Sequence, residues 1–400
     1  SSCSAVEMIN VQFRDNECNG ICGAYLSPEN SLRRIDVEGN VHIGEVEDIP
    51  AIIYVPPNSD TTAQRITARN NAGSVILVDE GSLTLSDSTF RNNSADLTGE
   101  DDLFGASINL LNSTVQITDC TFEGNSGDFG SAVFIRGSNV SLSASTFESN
   151  SAVQGGALSL MNDSSVFISN CAFSSNAAVQ NGGAVYACKS EVIAMNVSFL
   201  NNSAQERGGS LHLTCSSQVN VTNCVFLENT ADLGGCLTLR EETAGTVSDS
   251  SFESNWARFG GSLNLFDSML TVERTQMTHN NASVGGFVIS SNSTLVLLDS
   301  VLENGTATNG GAIYAEISSN LTIRDSNISS NFALDNGGGI AVSWSELLIL
   351  DSIFSGNAVN NAGGGVDCRN FSRCVVSSTS FLDNAADIAG AISGLDASAN

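Results

Sequence analysis

Six aspartates recur at one place in this chain, just before an apolar residue: Asp87, Asp119, Asp249, Asp299, Asp325 and Asp351. The last three fall one repeat apart. On successive coils of a repeating structure their carboxylates would lie about 5 Å apart, close enough to hold Ca2+ through oxygen ligands. Asp299, Asp325 and Asp351 are therefore the metal candidates, and Ca2+ is the one cofactor the pattern offers. Against it, Asn170, Asn196 and Asn223 stand at the same place in other repeats, and Asp and Asn share the habit of bonding their own turn backbone. A carboxylate pair could also hydrolyse a glycosidic bond, but a catalytic repeat should differ from its neighbours and none does. Elimination on an acidic sugar wants a Lys or Arg base beside a cation, and basic residues are sparse. His42, His212 and His279 are dispersed, and no nucleophile motif or phosphate loop occurs. The expectation is no catalytic residue and no enzyme. Trp256 and Trp344 could each touch a carbohydrate, with packing at a coil edge as the simpler expectation.

The cysteines number 11, an odd count. Cys120, Cys171 and Cys224 share one repeat position but lie two repeats apart, too far to pair; buried thiols are expected there. Cys368 and Cys374 flank a short turn. Cys215 could pair with Cys188 on the adjacent repeat or with Cys224, and Cys18 with Cys22 or Cys3. Disulfides among these would place the chain in an oxidising compartment.

What positions all of these residues is a repeat. Phe-x-x-Asn recurs at Phe13/Asn16, Phe90/Asn93, Phe122/Asn125, Phe147/Asn150, Phe173/Asn176, Phe199/Asn202, Phe226/Asn229, Phe252/Asn255, Phe354/Asn357 and Phe381/Asn384. Met277/Asn280, Val301/Asn304 and Ile328/Asn331 are weaker members, and Val37/Asn40 and Ala68/Asn71 degenerate ones. The period is about 24–27 residues, and no 3.6-residue periodicity occurs, which argues against a helical array. After each Gly-Gly comes a short alternating run (Ala157-Leu158-Ser159-Leu160, Ser210-Leu211-His212-Leu213), then a turn, then a second run such as Val166-Phe167-Ile168. With Phe-x-x-Asn as a third side, this makes one coil of a right-handed, single-stranded parallel β-helix. Leu158, Leu160, Val166 and Ile168 face inward, Ser159 outward, and Phe147 stacks on Phe122 and Phe173.

A buried turn leaves backbone groups without water. An Asn carries both donor and acceptor, so it can bond its own turn and the Asn of the next coil. Asn125, Asn150, Asn176, Asn202, Asn229 and Asn255 are expected to form such a ladder, with the Ala two places on packed beneath. The Gly pair serves φ > 0 or a close backbone approach. Residues 85–400 are expected to form the regular β-helix, with its C-terminal end uncapped. Residues 1–84 form irregular or degenerate coils continuous with it, with a Pro-containing loop near 42–62. The insertion from Ala95 to Phe104 reads as a solvated acidic loop.

These paired motifs resemble those of the polymorphic outer-membrane proteins of chlamydiae and of other large secreted β-helix proteins. The matching residues include Phe147-Glu148-Ser149-Asn150 with Gly155-Gly156-Ala157-Leu158, Phe173-Ser174-Ser175-Asn176 with Gly182-Gly183-Ala184-Val185, and Asn309-Gly310-Gly311-Ala312-Ile313. The resemblance covers most of the chain after residue 85. It implies a surface-exposed passenger of adhesin type. The family's C-terminal membrane barrel has no counterpart here, so no direct membrane insertion by this segment is expected.

Nearly all ladder Asn avoid the N-x-S/T sequon, with Asn304 as the exception. Asn112, Asn139, Asn162, Asn220, Asn292 and Asn320 instead fall at one turn, before the second run. Glycosylation of a secreted protein is one reading; the liking of Asn for turns is the other. The formal charge of −28 with 15 Lys+Arg excludes nucleic acid, and no run of 18 apolar residues spans a bilayer. The expectation is an extracellular or cell-surface, non-catalytic structural or adhesive scaffold. Its partners would be neighbouring chains, end to end or laterally in a filament, and surface glycans. The alternative is a carbohydrate-active β-helix: a polysaccharide lyase, hydrolase or binding protein.

Overall fold

The structure, a computed structural model, describes residues 6–18, 23–26, 29–42, 51–95 and 105–395. The chain forms two compact units, Ser1–Ser198 and Phe199–Asn400. Within each, the described strands pair in parallel with the strand one coil away, and no helix occurs among the described residues. From Ile108 onward each coil opens with a four-residue strand, such as Leu158–Met161 or Leu263–Phe266. A five-residue strand and a three-residue strand follow, Ser165–Ser169 and Ala172–Ser174 or Met269–Glu273 and Gln276–Thr278. A closing strand ends the coil, as in Ala177–Asn181 and Asn281–Val284.

The expected third side is displaced. Phe-x-x continues the second run rather than forming a separate side: the single strand Asp60–Arg69 pairs with both Ser82–Ser86 and Thr89–Arg91. In later coils two residues separate the two pieces, the first of them left-handed. Asp87, Asp119, Asp249, Asp299, Asp325 and Asp351, and likewise Asn170, Asn196 and Asn223, hold that place with φ between 46 and 56°. This conformation disfavours most side chains and suits Asp and Asn, which accounts for the column without a metal. The third side is the closing strand after the ladder Asn.

The ladder is present and buried. In the first unit the backbone N–H and Nδ2 of Asn125 both donate to Oδ1 of Asn150, at 3.1 and 2.9 Å. Asn229, Asn255 and Asn280 repeat this in the second. The remaining Nδ2 bond goes back one coil, from Asn150 to the Phe122 carbonyl at 3.0 Å, rather than into the Asn's own turn. Phe90, Phe122, Phe147 and Phe173 stack with centroids 4.5–5.0 Å apart. Val37 and Ala68 occupy the same slot in register with Phe13 and Phe90.

One member of the series shifts by a residue. Leu302, not Val301, continues the slot after Met277, and Gly305, not Asn304, takes the ladder position, where its N–H donates to Asn331 Oδ1 at 2.8 Å. A Cβ on Gly305 would meet the Phe287 ring at 2.4 Å. Phe287 stands where other coils place Ala, Ser, Cys or Gly after the Gly pair, and it is fully buried. The ring fills the volume an Asn would need. Asn304 lies on the surface turn at φ 62°, so its sequon is no exception among ladder residues.

Two further ladders went unread in the sequence. Ser113 N–H donates to Ser138 Oγ, and Ser268 N–H to Ser293 Oγ, at the corner after the opening strand. Ser300 N–H donates to Ser326 Oγ at the corner after the left-handed Asp. Cys120, Cys171 and Cys224 substitute for Ser in this last column, each with Sγ against the carbonyl two residues back. They are buried thiols outside any disulfide, and burial pushes Cys120 up to about 12 and Cys171 to about 11. Cys368 and Cys374 are bonded to each other, and Cys188 and Cys215 are both in disulfides, which leaves no role for Cys224 as a partner. Cys3, Cys22 and the Cys18 side chain lie outside the described residues, as do residues 96–104 of the acidic insertion. Part of the Pro-bearing stretch 42–62 is no loop: Ala51–Val55 is a buried opening strand.

Each Gly of the pair has its own reason. Gly155 sits at φ 65°, and a Cβ on Gly156 would come within 2.1 Å of the Gly183 carbonyl on the next coil. The first Gly makes the turn and the second lets coils stack.

Candidate functional site

The opening strands alternate as expected, with Leu158 and Leu160 in the core. Their second residues point away from the core, yet many are buried: Ser159 is covered, not exposed as expected. The closing strand folds back over this face. Thr238 Oγ1 donates to the Leu233 carbonyl at 2.8 Å, tying the two strands together.

In the second unit this folding-back leaves a cavity of about 350 Å³. Leu233 and Phe259, at the ends of closing strands, form one wall, and the second-position residues Asn264 and Ile289 form the floor. The opposite wall is the fourth position of successive opening strands: Arg240, Phe266, Ser291 and Glu316. The Arg240 guanidinium lies over the Phe266 ring at 4.9 Å, and Arg258 over Phe259 at 4.7 Å. The groove is thus apolar along its length with a cation at one end and a carboxylate at the other.

At the carboxylate end the column changes character. Tyr314, Ala341 and Asp367 follow one another in register at the second position, with Glu316, Ser343 and Arg369 at the fourth. Desolvation raises the Glu316 carboxyl above its usual range, and the Tyr314 hydroxyl bonded to it opposes this in part. Tyr314 is itself raised, by burial and then by the Glu316 charge. Asp367 is fully buried and ion-paired to Arg369 Nε at 2.5 Å; burial still leaves its carboxyl above the ordinary value. Arg369 Nη2 also donates to Asn336 Oδ1 at the end of a closing strand. A carboxyl with a raised pKa beside a phenol, open to a groove, is an arrangement for proton donation and acceptance.

None of the sequence-level candidates lies in this groove. Asp299, Asp325 and Asp351 stand at their corner, and no group of three or more His, Cys, Asp or Glu converges among the described residues. His212 lines the covered face of its opening strand, and burial, helped by Arg207 and Arg240, lowers its pKa to about 3. His279 is exposed. Trp256 is exposed on a closing strand, and Trp344 stands on the corner after an opening strand. The six sequons do not share one place. Asn112, Asn162 and Asn292 take the left-handed corner, Asn139 and Asn320 begin the next strand, and Asn220 sits in mid-strand; all six are exposed. The sequence signal for the groove was faint: it lies in the even positions of the opening strands, which repeat no motif.

No curated protein sequence matches the chain. Solved structures to which it is similar include the periplasmic alginate epimerase AlgG, at 9% identity over 86% of this chain and 76% of that one, with a TM-score of 0.45. The A-module of the Azotobacter vinelandii mannuronan C-5 epimerase AlgE6 is similar at 13% identity, 82% and 90% coverage and a TM-score of 0.43. The A-module of AlgE4 from the same organism shows 13% identity, 94% and 91% coverage and a TM-score of 0.35. These likenesses are of coil architecture and transfer no residue. The expectation of a non-catalytic scaffold and of no enzyme is corrected to this extent, that it is not carried forward: these similar structures are named as epimerases of alginate and mannuronan. The family described as right handed beta helix region matches residues 101–241 and 232–354. That is more than half of the chain, which belongs to the right-handed β-helix family.

Proposed function

We propose that this is a carbohydrate-active β-helix protein that takes a polysaccharide chain along the groove of its second unit and acts on it by proton transfer at Glu316. The observation that carries this reading is the half-buried Glu316, hydrogen-bonded to Tyr314, on the wall of a largely apolar groove that has Arg240 at its other end. The coil rise of about 4.8 Å is comparable to one sugar unit of an extended chain, so successive coils can meet successive sugars. Phe259, Phe266 and Ile289 offer apolar contact to ring faces, and Glu316, its carboxyl raised above the ordinary value by desolvation, is placed on the groove wall to exchange a proton with a glycosidic oxygen.

An extracytoplasmic setting fits this reading. The disulfides need an oxidising compartment, no described helix is long and apolar enough to cross a membrane, and the resemblance to chlamydial passengers points to export. N-glycosylation at the exposed Asn112, Asn139, Asn162, Asn220, Asn292 and Asn320 would accompany export from a eukaryotic cell.

The test is incubation with a panel of neutral and acidic polysaccharides, reading new chain ends and retention on polysaccharide gels. Wild type should generate ends from at least one substrate, and Glu316→Gln should lower the rate by about 10²–10⁴-fold while leaving retention intact. Undiminished activity in Glu316→Gln, or no turnover of any polysaccharide by wild type, would sink the proposal.

A further inference from the structure

The corner after the opening strand is left-handed; Asn112, Gly137, Asn162, Asp267 and Asn292 hold its first position in some coils, and Glu80, Lys189, Cys215 and Glu241 in others. Three consecutive coils of the second unit instead place a large apolar side chain there. Ile317 and Trp344 take the first position at φ 52 and 54°, and Phe371 the second at 60°. Bulky residues in this region are strained. They gain little burial in return, since Ile317, Trp344 and Phe371 are 55, 55 and 65% exposed. The Trp344 and Phe371 rings lie 5.0 Å apart at 36°. Beside them is a cavity of about 390 Å³ rimmed by Ser345, Asn320, Glu346 and Arg373. Ile317 follows Glu316 directly and lines the groove as well, so groove and aromatic ridge are continuous.

We propose that Trp344 and Phe371 form a second binding site, a stacking platform for the sugar rings of an uncharged polysaccharide chain leaving the groove past Glu316. The inference rests on the carbohydrate-active reading of the groove. Aromatic faces take the apolar C–H face of a sugar, and the surrounding amide, hydroxyl and charged groups can bond its equatorial hydroxyls. A protein partner fits poorly: three side chains fall far short of the roughly 800 Å² per partner of a stable interface. The protein's net charge of −28 disfavours a polyanion.

The chain holds two tryptophans, so Trp256→Phe leaves Trp344 as the sole emitter. In that background a neutral glucan, mannan or xylan that the protein retains should change Trp344 emission saturably. Phe371→Ala should then weaken the apparent affinity by about tenfold. Trp344→Asn, which suits the turn's backbone, should abolish retention of long chains with stability equal to or above wild type, separating platform loss from misfolding. A silent Trp344 during binding of a chain whose turnover Glu316→Gln abolishes overturns the platform and spares the groove. A responding Trp344 with no turnover by wild type does the reverse. Retention of no polysaccharide overturns both, and capture of a protein through Trp344 without glycan overturns the platform.

Discussion

At the scale of single residues, the chain shows how burial rather than sequence context sets chemistry. His212 alternates with Leu211 and Leu213 on an ordinary strand, yet the folded-back closing strand desolvates it and holds its pKa near 3. An unfolded His titrates near 6.5, so between about pH 6.5 and 3 the unfolded chain binds a proton that the folded one refuses. The associated stability is fully present above pH 6.5 and is lost as pH falls through that window, by up to roughly 5 kcal/mol. His212→Gln should flatten the change in urea midpoint between pH 7 and pH 4 relative to wild type; an unchanged slope would show that the imidazole is not the group responsible. Glu316 and Asp367 are shifted by the same cause, but only Glu316 opens onto the groove.

The coil is the element of this fold, and its tolerance is local. Ladder, aromatic slot and Gly pair are coupled inside one coil because they share volume. Gly305 and Phe287 are the clearest case. Gly305→Asn alone should overpack and cost about 1–3 kcal/mol. Phe287→Ala alone should leave a cavity and cost about 3–5 kcal/mol. The double variant should recover more than 1 kcal/mol of their sum, because an Asn at 305 can then extend the ladder from Asn280 to Asn331. Denaturant titration of the four proteins measures this, and strict additivity would mean the ring does not occupy the amide's place. The register of this coil was misread in the sequence because Asn304 mimics the motif; the volume swap with Phe287, 18 residues earlier, is visible only when both are placed in space. The Ser ladders were missed for a related reason: Ser is so common here that its periodic copies do not stand out until their Oγ atoms accept N–H bonds from the preceding coil.

For the whole molecule the governing quantity is charge. A protein of net charge −28 repels polyanions over a Debye length of about 10 Å at 0.1 M salt. Binding of a neutral polysaccharide should be nearly independent of salt, while any binding of an acidic one should strengthen as salt rises. Retention on neutral and acidic matrices across an ionic-strength series reads this directly, and tightening of an acidic chain at low salt would point to recognition through Arg240 and Arg373 instead of the aromatic ridge.

The amino-acid sequence alone determined the coil, its period, the inward amides and rings, and the thiols that stay reduced. Each of these is a short-range requirement repeated many times: an amide for every buried turn, an apolar residue at every inward position, a missing Cβ at every close approach. Repetition makes such a signal legible. The groove was decided only by tertiary structure. Its lining residues recur in no motif, come from different strands of successive coils, and acquire their shifted acidity from the closing strands that fold over them. A site made by departures from a repeat cannot be read from the repeat, because what brings Phe266, Ser291 and Glu316 to one cavity is the stacking of coils some 25 residues apart in the chain.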